Sequence, residues 1–296
     1  MATSSQYAER TYHNTSSPYV LPNDTPEQAR LDEQALAIQS MLGGKPFLFD
    51  LRLLPSKSKI LDIGCGTGVA TTQLARQCPS SRAYGIDLSA VPDHVKASAP
   101  TNVTFLKGNI MDDLSEQGLQ EESLDYVFGR MLFLAIDDWK EYFSRVHHLL
   151  KPGAIVEHQD CSWEYYRQGT QTKLSGNWSW HQAVLEESQA MGLDILVGDH
   201  VGDHMKAAGL EVLLTRSFEF SMMPSEKNIP SAAVGCYAQR TLLKAFPDLL
   251  RKILTKRDLY SDEDVLKLTK ECLETSSAEE GIFVKYTVTI GRKPAQ

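Results

Sequence analysis

The stretch Lys59-Ile60-Leu61-Asp62-Ile63-Gly64-Cys65-Gly66-Thr67-Gly68-Val69-Ala70 decides the fold. An apolar strand runs into a turn with glycines at 64, 66 and 68, and Thr71, Thr72, Leu74 and Ala75 continue a helix. Glycine takes backbone conformations closed to other residues and lets a ligand approach the main chain. A strand–glycine–helix unit is therefore a ready cofactor seat.

A dinucleotide fingerprint needs its third glycine at position 69, where this chain has Val69. The spacing is instead G-x-G-x-G preceded by the acid Asp62, which suits a cationic, amino-acid-bearing nucleoside better than a pyrophosphate. Downstream, Arg82-Ala83-Tyr84-Gly85-Ile86-Asp87 reads as a second strand ending in a carboxylate. An acid at that tip can accept hydrogen bonds from both ribose hydroxyls, in NAD sites as well as others.

The chain resembles the class I S-adenosylmethionine methyltransferases. Their opening motif is matched by residues 61–68, and further ordered blocks follow at Gly85-Ile86-Asp87-Leu88-Ser89, Leu106-Lys107-Gly108-Asn109-Ile110 and Leu124-Asp125-Tyr126-Val127-Phe128. The last block is Leu149-Leu150-Lys151-Pro152-Gly153-Ala154-Ile155-Val156-Glu157. The resemblance implies S-adenosylmethionine as cofactor, with S-adenosylhomocysteine as its product. Gly64, Gly66 and Gly68 would pass under its amino acid and ribose, with Cys65 in the same turn. Asp62 would help hold the ammonium, and Asp87, next to Leu88, the ribose. Where relatives carry an acid for the adenine amino group, this chain has Asn109, whose side-chain oxygen can still accept; the Ile110 N–H is a second adenine contact. Arg130 faces the cofactor edge or the substrate.

A narrower resemblance, to fungal LaeA-like methyltransferases, rests on the leader Pro18-Tyr19-Val20-Leu21-Pro22-Asn23-Asp24 with Glu27, Arg30, Leu31, Asp32 and Gln34. It implies that Tyr19 contacts the cofactor and that Arg30 meets its carboxylate.

The bulk properties bound the rest. With 296 residues, 42% of them hydrophobic, the chain can bury one large core. A formal charge of −8 without any basic run argues against a nucleic-acid partner. Cysteines at 65, 78, 161, 236 and 272 form no C-x-x-C pair, as expected of reduced cytoplasmic thiols rather than disulfides or a metal site. Neither a signal peptide nor a membrane span is expected. No feature specifies an oligomeric state.

Residues 1–24 read as a flexible arm, followed by a single domain over 25–296. Thr25-Pro26-Glu27-Gln28 predicts a helix start with Thr25 as N-cap, and Gly43-Gly44 ends that helix. From Ser58 to Asp160 strands near 59–63, 83–87, 102–106, 124–128 and 153–160 alternate with helices. The pattern predicts an α/β, Rossmann-like, doubly wound and mostly parallel seven-stranded sheet with ligands at the strands' carboxyl ends. Trp139, Tyr142, Phe143, Val146, Leu149 and Leu150 recur at helical spacing in a helix from Asp138 and read as core. A helical insertion over about 161–208 holds three of the four tryptophans and reads as a substrate lid. Strands at 210–222 and 281–292 flank mostly helical cover over 229–275.

Methyl transfer from a sulfonium is an in-line displacement whose leaving group is already made, so alignment and exclusion of water dominate. A hydroxyl acceptor profits from a base, since a phenol has a pKa of roughly 10. His158 and Asp160, at the end of the fifth strand, are the candidates, followed by His181. Met131, Phe133, Trp163, Tyr166, Trp178 and Trp180 are the candidate substrate contacts. Phe128-Gly129-Arg130-Met131 stands where enzymes acting on amides or nucleobases show an Asn/Asp-Pro-Pro-aromatic signature, which disfavours those classes. The expected function is methylation of a small, largely apolar secondary metabolite at oxygen or nitrogen. The alternatives are a S-adenosylmethionine-retaining fold that catalyses a pericyclic or dehydration step, and a LaeA-like regulator.

Overall fold

The computed structural model describes Tyr19, residues 21–226 and residues 228–295; the rest of the expected N-terminal arm, residues 1–18 and Val20, lies outside the described residues. The elements are α1 (Thr25–Met41), β1 (Lys59–Ile63), α2 (Val69–Gln77), β2 (Arg82–Asp87), α3 (Asp93–Ser98), β3 (Val103–Lys107), β4 (Leu124–Arg130) and α4 (Trp139–Leu149). There follow β5 (Leu150–Arg167), β6 (Thr172–Lys173), α5 (Ser179–Ala190), α6 (Val201–Ala207) and β7 (Glu211–Ser221). The chain closes with α7 (Ala232–Tyr237), α8 (Leu243–Leu254), α9 (Asp262–Ser276) and β8 (Ile282–Arg292), a π turn over Ala238–Leu242 joining α7 to α8.

The strands lie in the order β3-β2-β1-β4-β5-β8-β7, with the two-residue β6 paired to β5 off this path. From β3 to β5 neighbouring strands are parallel, and β8 runs antiparallel between β5 and β7. This is the expected mostly parallel, doubly wound arrangement. Parallel strands covered on both faces need near-continuous apolar sequence, and Ile60, Leu61 and Ile63 are accordingly buried. Alternation divides their side chains. Ile60, Tyr126 and Phe128 join the layer under α1, α7 and α8, whereas Leu61, Ile63 and Val127 join the layer under α4 and α6. Trp139, Tyr142, Phe143, Val146 and Leu149 are all buried, as their spacing predicts.

Two local expectations are corrected. The N-cap of α1 is Asp24 rather than Thr25: the Asp24 carboxylate accepts from the Glu27 N–H at 3.1 Å. A carboxylate there satisfies a free N–H and also complements the positive end of the helix. The fifth strand does not stop at Asp160 but continues to Arg167, because β8 pairs alongside as far as Ile282↔Arg167, with a bulge between Ser162 and Tyr165. Trp163, Tyr165 and Tyr166 are therefore strand residues.

The segment between α1 and β1 is fastened to the sheet by one buried acid. The Glu157 carboxylate accepts from the N–H groups of Leu48 (2.9 Å) and Phe49 (2.8 Å), from Tyr126 Oη (3.0 Å) and from Gln159 Nε2 (2.6 Å). Gln159 Nε2 also donates to Pro46 O, and Gln159 Oε1 accepts from Tyr286 Oη. Burial pushes the Glu157 carboxyl up, while its four donors pull it down. Glu157→Gln would place an NH2 group against one of these donors. It is expected to lower unfolding free energy by about 1–3 kcal/mol, the range for leaving a buried polar group unmatched, in urea denaturation at pH 7.

Candidate functional site

The carboxyl ends of β1, β2 and β4 meet α1, β7 and α8 around one cavity of about 1640 Å³, open solvent at its mouth included. Its floor is the glycine turn. Gly64 has φ +64°, and a Cβ there would fall 2.4 Å from Leu132 Cδ2. Gly68, with φ +82°, starts α2 in the left-handed region and lies against the Phe105 ring, where a Cβ would come within 2.8 Å. Gly64, Cys65 and Gly66 line the cavity, whereas Gly68 packs behind it and is not among the lining residues.

Asp87 stands at the tip of β2 beside this turn. Its carboxylate accepts from the Gly66 N–H at 2.9 Å and the Ser89 N–H at 2.8 Å, which fixes it at the rim. Leu88, Asn109 and Ile110 complete that side of the wall. Asn109 Oδ1 accepts from the Met111 N–H at 3.1 Å, using one of its two lone pairs.

Asp62, expected to help hold an ammonium, often indirectly, stands one layer back from the cavity. It is buried behind the turn, accepts from Thr71 Oγ1 at 2.6 Å, and does not line the cavity. Burial pushes its carboxyl up to about 6, opposed by Thr71 and by the positive charge of Arg130.

Opposite the turn, α1 presents Arg30 and Gln34. Arg30 Nε donates to both Glu27 oxygens at 3.0 and 2.9 Å, and Nη2 to Oε1 at 2.5 Å; Nη1 donates to Tyr237 Oη at 2.6 Å. Gln34 Nε2 donates to the same Tyr237 oxygen at 3.2 Å. Arg30 lines the cavity with its charge already balanced by Glu27, and Tyr19 lines it nearby, its phenol pushed up by burial. Arg130, at the end of β4, differs. Its Nη1 is buried without a hydrogen-bond partner, and its guanidinium carbon lies 5.9 Å from the centre of the Phe128 ring. The next residue, Met131, holds φ +56°, an uncommon conformation for a side-chain-bearing residue, and turns the chain into the cavity wall.

Beyond Arg130 the cavity becomes an apolar chamber. Met131, Phe133 and Trp163 line it, as expected. Tyr166 instead stacks on Phe283 and carries Lys285 Nζ 4.6 Å from its ring centre. Trp178 stacks on Trp180, and Trp180 donates from Nε1 to Thr275 Oγ1 at 2.9 Å, anchoring α5 to α9. None of these three lines the chamber.

The three candidate proton acceptors do not line it either. His158 and Asp160 point to the α4 side of the sheet, with His158 Nε2 3.1 Å from Asp160 Oδ2 and its ring enclosed by Trp139, Tyr142 and Phe143. Asp160 Oδ2 also accepts from the Leu132 N–H at 2.9 Å, so this acid holds the loop that follows Arg130. His181 is buried on α5 with Nε2 2.6 Å from Trp163 O, and burial lowers its basicity.

The chamber walls that sequence reading missed come from late in the chain: Phe220, Met222, Val284, and Leu242, Ala245, Phe246 and Leu249. The last four recur at i, i+3, i+4 and i+7, one face of a helix. That spacing was a usable signal for a buried stripe, though not for what the stripe faces.

A family model described as "Methyltransferase domain" matches residues 54–209. Methyltransferase pytC of Aspergillus terreus is 32% identical over 150 residues, 50% of this chain and 43% of that protein. Secondary metabolism regulator laeA of Aspergillus fumigatus is 29% identical over 160 residues, 52% of this chain and 40% of that protein. Methyltransferase str2 of Strobilurus tenacellus is 25% identical over 229 residues, 77% of this chain and 80% of that protein. The chain thus spans less than half the length of the first two. Among solved structures, a protein assigned as a sarcosine dimethylglycine methyltransferase from Galdieria sulphuraria shares the fold, with 16% identity, a TM-score of 0.51, and 94% and 93% of the two chains covered.

The protonation of Asp62 gives a test of the site's electrostatics. Its folded value lies above the ordinary carboxylate value, so this group favours folding below about pH 4, and that contribution is lost as pH rises through about 6. Asp62→Asn is neutral throughout. The variant is expected to be more stable than the parent at pH 8 by roughly 1–3 kcal/mol, with the difference nearly gone at pH 4, as read by scanning calorimetry at both values.

Proposed function

Because this chain belongs to the methyltransferase-domain family, we propose that it transfers the methyl group of S-adenosylmethionine to a small, largely apolar metabolite at oxygen or nitrogen. The observation that carries this reading is the continuity of the cavity. A polar end, built by the Gly64–Gly66 turn and Asp87, opens past Arg130 into an apolar chamber lined by Trp163 and Phe246.

The polar end fits the cofactor. Gly64 and Gly66, at positive φ, present bare main chain to the cavity, and Asp87 is pinned by two N–H groups beside that turn, where a ribose would meet its carboxylate. Ile86, Leu88 and Ile110 give an apolar slot for a purine, and Asn109 keeps a lone pair for its amino group. Tyr19 and Arg30 close the leader side; Asp62, behind the turn, adds negative potential for an ammonium. When bound, the cofactor supplies an electrophilic methyl group on sulfur, and the chain's own work is to align and to exclude water.

The chamber supports a small apolar acceptor. The expected lid over about 161–208 enters it through Cys161 and Trp163, while α5 braces Trp163 through Trp180 and the His181 contact to its carbonyl. The roof is α8. No described helix is long and apolar enough to cross a membrane, and with five free cysteines we place the protein in the cytoplasm, acting on a dissolved metabolite rather than on nucleic acid. The laeA match supports a second reading, a regulator of secondary metabolism.

With methyl-labelled S-adenosylmethionine and a cell extract, organic-extractable label is the expected result. Label in precipitated protein or RNA overturns the small-molecule reading, and binding without any label moves the weight to the regulator. Asp87→Ala is expected to weaken S-adenosylmethionine binding by about 1.5–3 kcal/mol, roughly 10–150-fold, in isothermal calorimetry, as for hydrogen bonds to a charged partner. Unchanged affinity removes Asp87 from the site.

A further inference from the structure

Two cations line the cavity, and only one is balanced. Arg30 is held by Glu27, whereas Arg130 makes no ion pair among the described residues: the buried Asp62 feels its charge without bonding it, and its buried Nη1 has no hydrogen-bond partner there. Arg130 is half-buried, and a guanidinium whose inner N–H is withdrawn from water with its hydrogen bond unmade is a ready partner for an anion. Arg130 sits where the polar end meets the chamber, on the same sheet face as Phe128.

Among the described residues, the chamber offers no group to take a proton. Of those that line it beyond Arg130, Cys161 alone titrates, and burial pushes its thiol well above the ordinary range. Asp87 is fixed at the far rim, and His158, Asp160 and His181 are bonded elsewhere. A phenol or alcohol has to lose a proton on transfer. A carboxylic acid, with a pKa of about 4, arrives without it.

Resting on the methyl-transfer reading, we propose that the acceptor is an amphipathic carboxylic acid, its apolar body in the chamber and its carboxylate on Arg130, and that the product is the methyl ester. A carboxylate oxygen lone pair forms the new O–C bond as the methyl C–S bond breaks. The C–S pair stays on sulfur, giving the thioether S-adenosylhomocysteine, and no proton moves. The competing anion for Arg130 is the carboxylate of S-adenosylmethionine itself.

The test treats the organic-extractable product, labelled from methyl-tritiated S-adenosylmethionine, with mild alkali, which frees methanol from methyl esters but leaves aryl ethers and N-methyl groups intact. Most of the label is expected to become volatile. Alkali-stable label overturns the ester assignment and leaves methyl transfer standing, whereas label confined to precipitated protein or RNA overturns the small-molecule acceptor, and no label in any fraction overturns methyl transfer as well. Once the product is isolated, Arg130→Gln is expected to raise the acceptor KM at least about tenfold. It should leave S-adenosylhomocysteine affinity, measured by calorimetry, nearly unchanged, with Arg130→Lys recovering part of the KM. Lost S-adenosylhomocysteine affinity with an unchanged acceptor KM gives Arg130 to the cofactor and overturns the proposal. If Arg130→Gln does not fold, the pH profile of the parent decides: kcat/KM level from pH 7 to 9 supports a carboxylate, and a climb through pH 9 overturns it.

Discussion

The cavity depends on a charge pair that the protein buries rather than displays. Glu27 and Arg30, one turn apart on α1, are both nearly inaccessible, and the third arm of the guanidinium is bonded to Tyr237, 207 residues away. Burying an ion pair gains little net stability, but removing one partner leaves a desolvated charge and costs about 3–5 kcal/mol. The pair therefore acts as a specific joint. It holds the leader helix against α7, and through the π turn it sets where α8 lies over the chamber. Tyr237, its phenol pushed up to about 12 by burial, stays protonated and serves as a neutral acceptor for both Arg30 and Gln34.

The sheet divides chemistry from support by simple alternation. Along β5, Glu157, Gln159 and Cys161 face α1 and the cavity layer, while His158 and Asp160 face α4. The same strand thus carries a polar cluster that fastens the 46–49 segment on one side and an acid that fastens the loop after Arg130 on the other. Both acids are spent on backbone N–H groups, which is why neither is available to an acceptor. The chamber is left apolar, with Arg130 among the residues that line the same cavity.

Much of this was legible. The five ordered blocks gave the sheet and its carboxyl-end site, because glycine spacing and a strand-tip acid are local requirements of the turn itself. Tyr19, Arg30, Asp87, Asn109, Ile110 and Arg130 all reach the cavity. Other placements have physical reasons. Nearness to a strand end does not fix a face, and period two sends His158 to the side opposite the cavity. Aromatic residues in an insertion can face a site or a seam, and the rings of Trp178 and Trp180 go to the seam between α5 and α9. Charged residues on a helix normally point to solvent, so although the resemblance places Arg30 near the cofactor, no local pattern shows that it is buried against Glu27 and Tyr237.

By itself the sequence determined the alternation of strands and helices, the glycine turn, the acid at the tip of β2 and the apolar stripe of α8, since each follows from backbone sterics or from a repeat within a few residues. Only the tertiary structure decided that the stripe roofs the chamber, that Arg30 is ion-paired while Arg130 makes no ion pair among the described residues, and that His158 and His181 are buried away from it. Those outcomes depend on contacts between residues far apart in the chain, and the free energy of a charge is set by what surrounds it in space rather than by its neighbours in sequence.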